Sequence, residues 1–90
     1  MKIVVNRAYG IYSLPRRFCD MYNIIGLDEE NTVDRTDKRL VEYVEKYGGE
    51  TGFGKIEAVY IPDNVTDWEI WEYDGYETVI YVVDGKIHHM

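Results

Sequence analysis

The stretch from Lys2 to Arg17, KIVVNRAYGIYSLPRR, predicts a buried strand, a polar loop and the start of a helix. Its opening β-branched run is typical of a strand that is buried on both faces and therefore central in its sheet. Ser13 suits a helix N-cap, and Pro15 suits the first helical turn. The loop between them carries an amide, a guanidinium, two tyrosines and a glycine. Backbone amides at a helix N-terminus beside arginines favour an anion, so this loop is the candidate binding surface.

Length and charge limit the classes of protein and partner. Ninety residues make one α+β domain, 1–90, with a single core. Residues 1–27 hold four Lys/Arg and one Asp, a charge of +3, whereas residues 28–90 hold six Lys/Arg and sixteen Asp/Glu, a charge of −10. A chain this acidic lacks the extended basic surface of non-specific nucleic-acid binding. No apolar run reaches the roughly 18 residues of a membrane span, and no signal-peptide pattern opens the chain. We therefore expect no membrane partner and a location in the cytoplasm.

The sequence contains no set of side chains whose types and spacing indicate catalysis or metal binding. Cys19 is the single cysteine and is interpreted as a helix core residue. His88 and His89 are adjacent, and neighbouring side chains on a strand point to opposite faces, which disfavours chelation. Ser13 and Cys19 have no identifiable base. We therefore predict a non-enzymatic protein without a cofactor.

Two helices are predicted between the loop and the glycine-rich segment 48–55. An apolar stripe at helical spacing runs from Leu14 to about Ile25, and Gly26 suits the left-handed position that ends a helix. The second helix covers 38–47, is capped by Thr36 or Asp37, and stops at the glycine pair that follows. Residues 27–31 are assigned to an acidic connector, and residues 32–35 are assigned to a brief edge strand. The segment 48–55 lacks the pattern of a phosphate-binding P-loop and is interpreted as a mobile crossover.

The last third of the chain predicts an antiparallel meander. A strand over 55–61 is followed by runs at 68–73, 76–83 and 86–90, separated by Asp74-Gly75 and Asp84-Gly85. Asp-Gly between alternating runs indicates a type I′ hairpin, whose two turn residues need positive φ. One face of the first hairpin is expected to pack on the helices and the other to stay partly exposed. The predicted fold is thus a small, mostly antiparallel sheet with a C-terminal β-meander, packed by two helices.

Aromatic side chains with polar tips concentrate in the N-terminal loop and in the meander. Such side chains suit surfaces that stack a planar ligand or a partner's side chain. If the loop folds beside the first hairpin, Arg7 and Arg16 could hold a phosphate while the rings stack a base. The predicted ligand-binding residues are Asn6, Arg7, Tyr9, Gly10, Tyr12, Ser13, Arg16, Trp71, Tyr73 and Asp74.

Two motifs resemble those of a family of short proteins from tailed phages and prophages. The opening KIVVNRAYGIYSL resembles that family's strand–Asn-Arg/Lys–x–aromatic-Gly loop, and IPDNVTDWEIWEYDGYE at 61–77 resembles its Ile-Pro-Asp-x-Val…Trp-x-Ile-x-Glu-Tyr-Asp-Gly motif. The chain departs from the family at Ala8, Ile11 and Pro15. The resemblance implies a phage accessory protein, and small proteins of that kind often counter host defence. The family's signature positions carried over are Asn6, Arg7, Tyr9, Gly10, Tyr12, Ser13, Asp63, Trp68, Glu72, Tyr73, Asp74 and Gly75.

Two hypotheses of function follow from these observations. The first is a counter-defence protein that binds and sequesters a small nucleotide-like signal in the host cell cytoplasm. The second is an acidic protein-interaction module, an inhibitor or a DNA mimic, that blocks a host protein. DNA mimicry needs carboxylates over a continuous face at about phosphate spacing, whereas DRTDKRLVEYVEK at 34–46 intersperses them with Lys and Arg. Homo-oligomerisation is left open.

Overall fold

The computed structural model describes all 90 residues and contains three helices and five strands. The strands form two antiparallel sheets, one of two strands and one of three. The predicted α+β class with a C-terminal meander is confirmed, and a short third helix is added. In chain order the elements are β1 (Lys2–Asn6), α1 (Arg16–Met21), α2 (Gly26–Glu30), α3 (Lys38–Tyr47), β2 (Ile56–Tyr60), β3 (Asp67–Tyr73), β4 (Tyr76–Val83) and β5 (Lys86–His89).

The middle layer of the fold is the antiparallel pair of β1 and β2. Alternate residues of a strand point to opposite faces, so β1 contributes to two separate cores. The larger core lies against α1 and α3 and contains Val4, Leu14, Phe18, Cys19, Leu40, Val41, Tyr43, Val44 and Ile56. The smaller core lies against the meander and contains Ile3, Val5, Ile61 and Val79. β1 is therefore buried on both faces as predicted, but between layers and not in the centre of a sheet, because its sheet has only two strands.

The second backbone edge of β1 has no strand beside it and is completed by an ion pair. The N–H of Val4 donates to the carbonyl of Arg35 at 2.8 Å, and Arg35 Nη1 donates back to the Val4 carbonyl at 3.2 Å. The N–H of Asn6 donates to Glu77 Oε1 at 2.7 Å. Arg35 binds both oxygens of the Glu77 carboxylate, at 2.7 and 3.0 Å. These bonds satisfy buried backbone groups that a third strand would otherwise pair.

The region between the first loop and α3 differs most from the prediction. The prediction of an edge strand at 32–35 is wrong, since these residues form turns. Of these residues, only Arg35 hydrogen-bonds to the backbone of β1. The first helix begins at Arg16, with Pro15 and not Ser13 as its N-cap residue. It ends at Met21 because Asn23 adopts φ 55° and Ile24 donates its N–H to the Cys19 carbonyl at 2.9 Å. That pattern is a Schellman stop built on asparagine, and the expected extension to Ile25 is wrong.

Gly26 has the predicted positive φ, 83°, but it opens α2 and does not close α1. The left-handed stop that the sequence assigned to this glycine is made three residues earlier, at Asn23. The acidic connector expected after it is in fact the helical turn Gly26–Glu30, which buries no residue. This solvent-facing turn forms one wall of the groove described below.

The helix α3 matches its prediction at both ends. Asp37 caps it by accepting hydrogen bonds from the N–H groups of Arg39 and Leu40, at 2.8 and 3.4 Å. The side chain of Arg39 also binds the Asp37 carboxylate, which lowers the pKa of Asp37 below its ordinary value. Gly48, at φ 83°, ends the helix.

We expect Asp37→Ala to lower the free energy of unfolding by about 0.5–2 kcal/mol, because two N–H groups lose their acceptor. Asp37→Asn is the control, since asparagine caps a helix equally well but cannot pair with Arg39. Urea denaturation of both variants measures the difference. The lowered pKa means that the charged cap's contribution is present above the ordinary pKa of an aspartate and disappears as pH falls through the folded-state value. Equal destabilisation by Asn and Ala would assign the effect to the ion pair and not to the cap.

Both Asp-Gly hairpins of the meander are confirmed. Asp74 and Gly75 have φ of 50° and 87°, and Asp84 and Gly85 have 52° and 74°. The face of β3 that carries Trp68 and Ile70 packs on the smaller core between the two sheets, so its expected packing on the helices is wrong. The opposite face stays exposed, as predicted.

Candidate functional site

The loop 7–15 is held between the β3–β4 turn and the glycine-rich segment. The N–H of Gly10 donates to the Asp74 carbonyl at 3.2 Å, and the N–H of Ile11 donates to the Phe53 carbonyl at 3.0 Å. Gly10 has φ 143°, and a Cβ placed on it would overlap the Phe53 carbonyl oxygen. A Cβ on Gly75 would overlap the Gly10 carbonyl oxygen. The loop therefore lies beside the first hairpin, which was the condition for the site inferred from the sequence.

Asn6 joins the segments that meet at this loop. Its side-chain amide donates to the carbonyls of Ala8 and Gly75, each at 2.8 Å, and its Oδ1 accepts from the N–H of Lys55 at 3.0 Å. The side chain is completely buried. Asn6 was predicted to contact a ligand, but both amide hydrogens are already used within the protein. The structure gives it the role of fixing the loop.

The remaining predicted residues separate into two places. Arg7 donates to the Tyr76 hydroxyl at 3.2 Å, and Tyr9 lies against the Tyr76 ring with centroids 6.2 Å apart. Trp71 and Tyr73 are exposed on β3, and Asp74 is in the turn beside Gly10. None of these residues lines the groove that contains Tyr12, Ser13 and Arg16. The expectation that Arg7 and Arg16 share one phosphate is therefore not met at this groove.

The groove has a volume of about 700 Å³ and lies between the loop, α1, α2 and the glycine-rich segment. Residues 11–14, 16, 19–20, 24–27, 30 and 51–53 line it. This volume is within the range of small-molecule sites in proteins. The segment 48–55, interpreted from sequence as a mobile crossover, contributes a closed turn. Thr51 Oγ1 accepts from the N–H groups of Phe53 and Gly54 at 3.1 and 2.9 Å, and the Ser13 hydroxyl donates to the same Oγ1 at 2.8 Å.

Among the side chains that line the groove, Tyr12 has the most distinctive environment. Its ring stacks on the guanidinium of Arg35, whose Cζ lies 3.4 Å from the ring centroid. Its hydroxyl is buried and has no hydrogen-bond partner within the protein. Burial raises the pKa of Tyr12 to about 12, although the nearby Arg35 opposes this increase. The hydroxyl is therefore neutral at any physiological pH, and a buried polar group without a partner is a rare feature in a folded protein.

The charges of the groove are few and of both signs. Arg16 lies at the rim, with its side chain 91% exposed, and its Nε is 3.4 Å from Asp20 Oδ1. Glu30 Oε1 is 3.7 Å from Cys19 Sγ. Burial, then the charge of Glu30, raises the pKa of Cys19 to about 11, so this thiol is protonated and a weak nucleophile. α1 has only six residues, so the anion site predicted at its N-terminus is reduced to the single guanidinium of Arg16.

Sequence reasoning missed several residues that shape this groove. Arg35 and Glu77 are 42 residues apart in the chain, and no local pattern links them. Phe53 was not considered, because the segment 48–55 was interpreted from its glycines alone. Leu27 was assigned to a connector, because α2 has no buried stripe from which a helix could be recognised. A useful signal was available at Asn23, since asparagine is second to glycine in left-handed helix stops.

Comparison of the chain with protein-family models, with curated proteins and with solved structures finds no match. No helix of the fold is both long and apolar enough to span a bilayer. The resemblance to phage proteins therefore stays a prediction, and function is inferred from the geometry of the groove.

Proposed function

We propose that this protein is a non-catalytic phage accessory protein that binds a small nucleotide-like ligand in the groove and sequesters it from a host defence system. The observation that supports this most directly is a groove of about 700 Å³ that Tyr12, Ser13 and Arg16 line together. A nucleotide of one to two units fits a volume of this size.

The walls of the groove suit a flat ring. Ile11 and Phe53 form exposed apolar edges, and the Tyr12 ring is held rigid by the guanidinium beneath it. Aromatic and apolar walls favour a base because every base has an apolar face. Such a ring contact tolerates any base, so the shape of the groove supplies the selectivity.

The charges limit how many phosphates the ligand carries. Arg16 is the one basic side chain of the groove, and its planar guanidinium can bind a phosphate in two-point contact. Asp20 and Glu30 carry the opposite charge in the same groove. The ligand of best fit is therefore a base with ribose and one phosphate near Arg16, or a cyclic nucleotide whose charge is held at that end.

Binding without turnover is part of this proposal. The Cys19 thiol is protonated, and the Ser13 hydroxyl donates to Thr51 without an adjacent base. A protein that only holds a signal removes it in proportion to its own concentration, which suits an accessory protein made in quantity during infection.

We expect Tyr12→Phe to leave the melting temperature of the free protein unchanged or slightly higher, because it removes a buried hydroxyl that has no partner. Arg16→Ala should weaken nucleotide binding about tenfold, because it removes the one basic side chain of the groove. The probes are cyclic mono- and dinucleotides, ADP-ribose derivatives and nucleoside monophosphates, measured by thermal shift and calorimetry. Tyr9→Phe, outside the groove, is the matched control and should bind like the wild type.

One observation favours the second function, an acidic module that blocks a host protein. Ile25 and Leu27 are about three-quarters exposed on the same side of the groove, and exposed apolar clusters mark protein contacts. DNA mimicry fits less well, since carboxylates pair with basic side chains, as Glu45 does with Lys2 and Glu42 with Lys38. If no nucleotide raises the melting temperature, the first function fails. Retention of a host protein by the wild type but not by Leu27→Glu would then support the second.

A further inference from the structure

The outer face of the meander, the side turned away from the smaller core, is uncovered and largely apolar. Residues of β4 with even numbers point to this face, opposite to buried Val79. At its edges Trp71 and Ile87 are 56% and 68% exposed. Ile80, at the centre, is 8% exposed. The outer face consists of Asp67, Glu69, Trp71, Tyr73, Tyr76, Thr78, Ile80, Val82, Ile87 and His89. At the turn end, Arg7 and Tyr9 lie against Tyr76.

We propose that this outer face packs against the same face of a second copy of the chain, related by a two-fold axis parallel to β4. Two-fold contacts are self-complementary, so residues on the axis meet their own equivalents and every contact away from the axis occurs twice. With the axis above Ile80, β3 of one copy lies over β5 of the other. Stacked antiparallel sheets pack in this way at about 10 Å, with strands within about 30° of each other.

Glu69 meets an imidazole under this rotation, whereas Asp67 of one copy comes over Ile87 of the other. The sheet register aligns Glu69, Ile80 and His89 across the three strands. The two-fold axis therefore brings Glu69 of one copy over His89 of the other, twice in the dimer. Glu69 Oε1 already accepts from the indole N–H of Trp71, which leaves Oε2 for the imidazole of the second copy. A carboxylate facing an imidazole is favourable, whereas a contact of β3 with β3 would bring two carboxylates together.

The area is sufficient for a weak dimer. β4 has eight residues, and strands rise about 3.4 Å per residue and lie about 4.8 Å apart, so the face measures roughly 27 by 14 Å. Covering it on both copies removes roughly 760 Å², which is less than the standard size of specific interfaces and is typical of a weak contact. We expect a dissociation constant in the micromolar range.

Sedimentation equilibrium of the whole chain tests the dimer. The wild type should change from 10.6 kDa to twice that mass as its concentration rises from about 1 to about 300 μM. Ile87→Glu should raise the dissociation constant about thirtyfold, because it places a carboxylate without a partner in the contact. Leu27→Glu, an equally exposed apolar position in the groove, is the matched control and should dimerise like the wild type. Circular dichroism confirms that both variants are folded.

Exchanging the charges tests the contact between Glu69 of one copy and His89 of the other. Glu69→Lys should weaken the dimer, and adding His89→Glu to the same chain should restore it, because the rotation places these two positions together. A wild type that stays monomeric at 300 μM, or a dimer that is lost in Leu27→Glu and kept in Ile87→Glu, overturns the proposal. Masses that grow beyond the dimer would also overturn it, since they indicate pairing of strand edges into open chains.

Discussion

Glu77→Ala is expected to lower the free energy of unfolding by about 3–5 kcal/mol, a large fraction of the stability of a domain of this size. The Glu77 side chain is 7% exposed and binds both the guanidinium of Arg35 and the backbone N–H of Asn6. Its removal leaves a mostly buried cation and a buried donor without partners. The loss is larger than for an ordinary salt bridge. The reason is that the buried N–H of Asn6, on the edge of β1 that pairs with no strand, also loses its only acceptor.

Urea denaturation with three further variants separates the causes. Glu57→Ala removes an exposed carboxylate 4.0 Å from Lys55 and should change the stability by less than about 0.5 kcal/mol. Glu77→Gln keeps an acceptor for Asn6 but not the charge, and should give an intermediate loss. The double variant Arg35→Met/Glu77→Leu should lose less than the sum of the two single changes. A Glu77→Ala variant as stable as Glu57→Ala would show that the edge of β1 does not depend on the ion pair.

Glu77→Ala should also affect the groove. Glu77 holds the guanidinium on which the Tyr12 ring stacks. With Arg35 released, the ring loses its support, and nucleotide binding should weaken even at temperatures where Glu77→Ala is folded. The ion pair thus connects the stability of the fold to the geometry of the proposed site.

Gly75→Ala is the second substitution with a large expected effect, and the chain contains its own control. Gly75 and Gly85 each follow an aspartate in a type I′ turn, with φ of 87° and 74°. A Cβ at Gly85 would meet no atom within 4 Å, whereas a Cβ at Gly75 would overlap the backbone of Gly10. Gly85→Ala should therefore cost only the left-handed strain, about 1–2 kcal/mol. Gly75→Ala should cost a further 1–3 kcal/mol or so, because backbone atoms must shift.

Thermal and urea unfolding of the two variants measures this difference directly. Both turns have the same sequence and the same conformation, so any excess at Gly75 reports the contact between the first hairpin and the loop 7–15. An equal loss in the two variants would show that the loop does not lie against the hairpin. In that case Asn6 could not bind the Gly75 carbonyl, and the proposed geometry of the groove would fail with it.

Elements with short-range causes could be predicted from the sequence. The Asp37 cap and Gly48 define both ends of α3 by hydrogen bonds within a few residues. The Asp-Gly pairs set the turns, and alternation sets the faces of β3 and β4. α1 was predicted too long because its stop uses Asn23, a weaker signal than the glycine three residues later. For the site, the position of the loop beside the first hairpin was only a condition of the sequence hypothesis, and the ten predicted residues were treated as one surface.

By itself, the sequence determined the α+β class, the meander, the helix α3 and the burial of β1, since each depends on local propensity or on the period of apolar residues. Only the tertiary structure decided that β1 separates two cores, that Asn6 is a structural residue and that Tyr12, Ser13 and Arg16 share a groove. These features depend on contacts between residues far apart in the chain, such as Arg35 with Glu77 and Gly10 with Gly75. Each of these contacts forms only when whole layers pack together. The sequence around a charged residue or a glycine does not indicate which distant group that residue will contact.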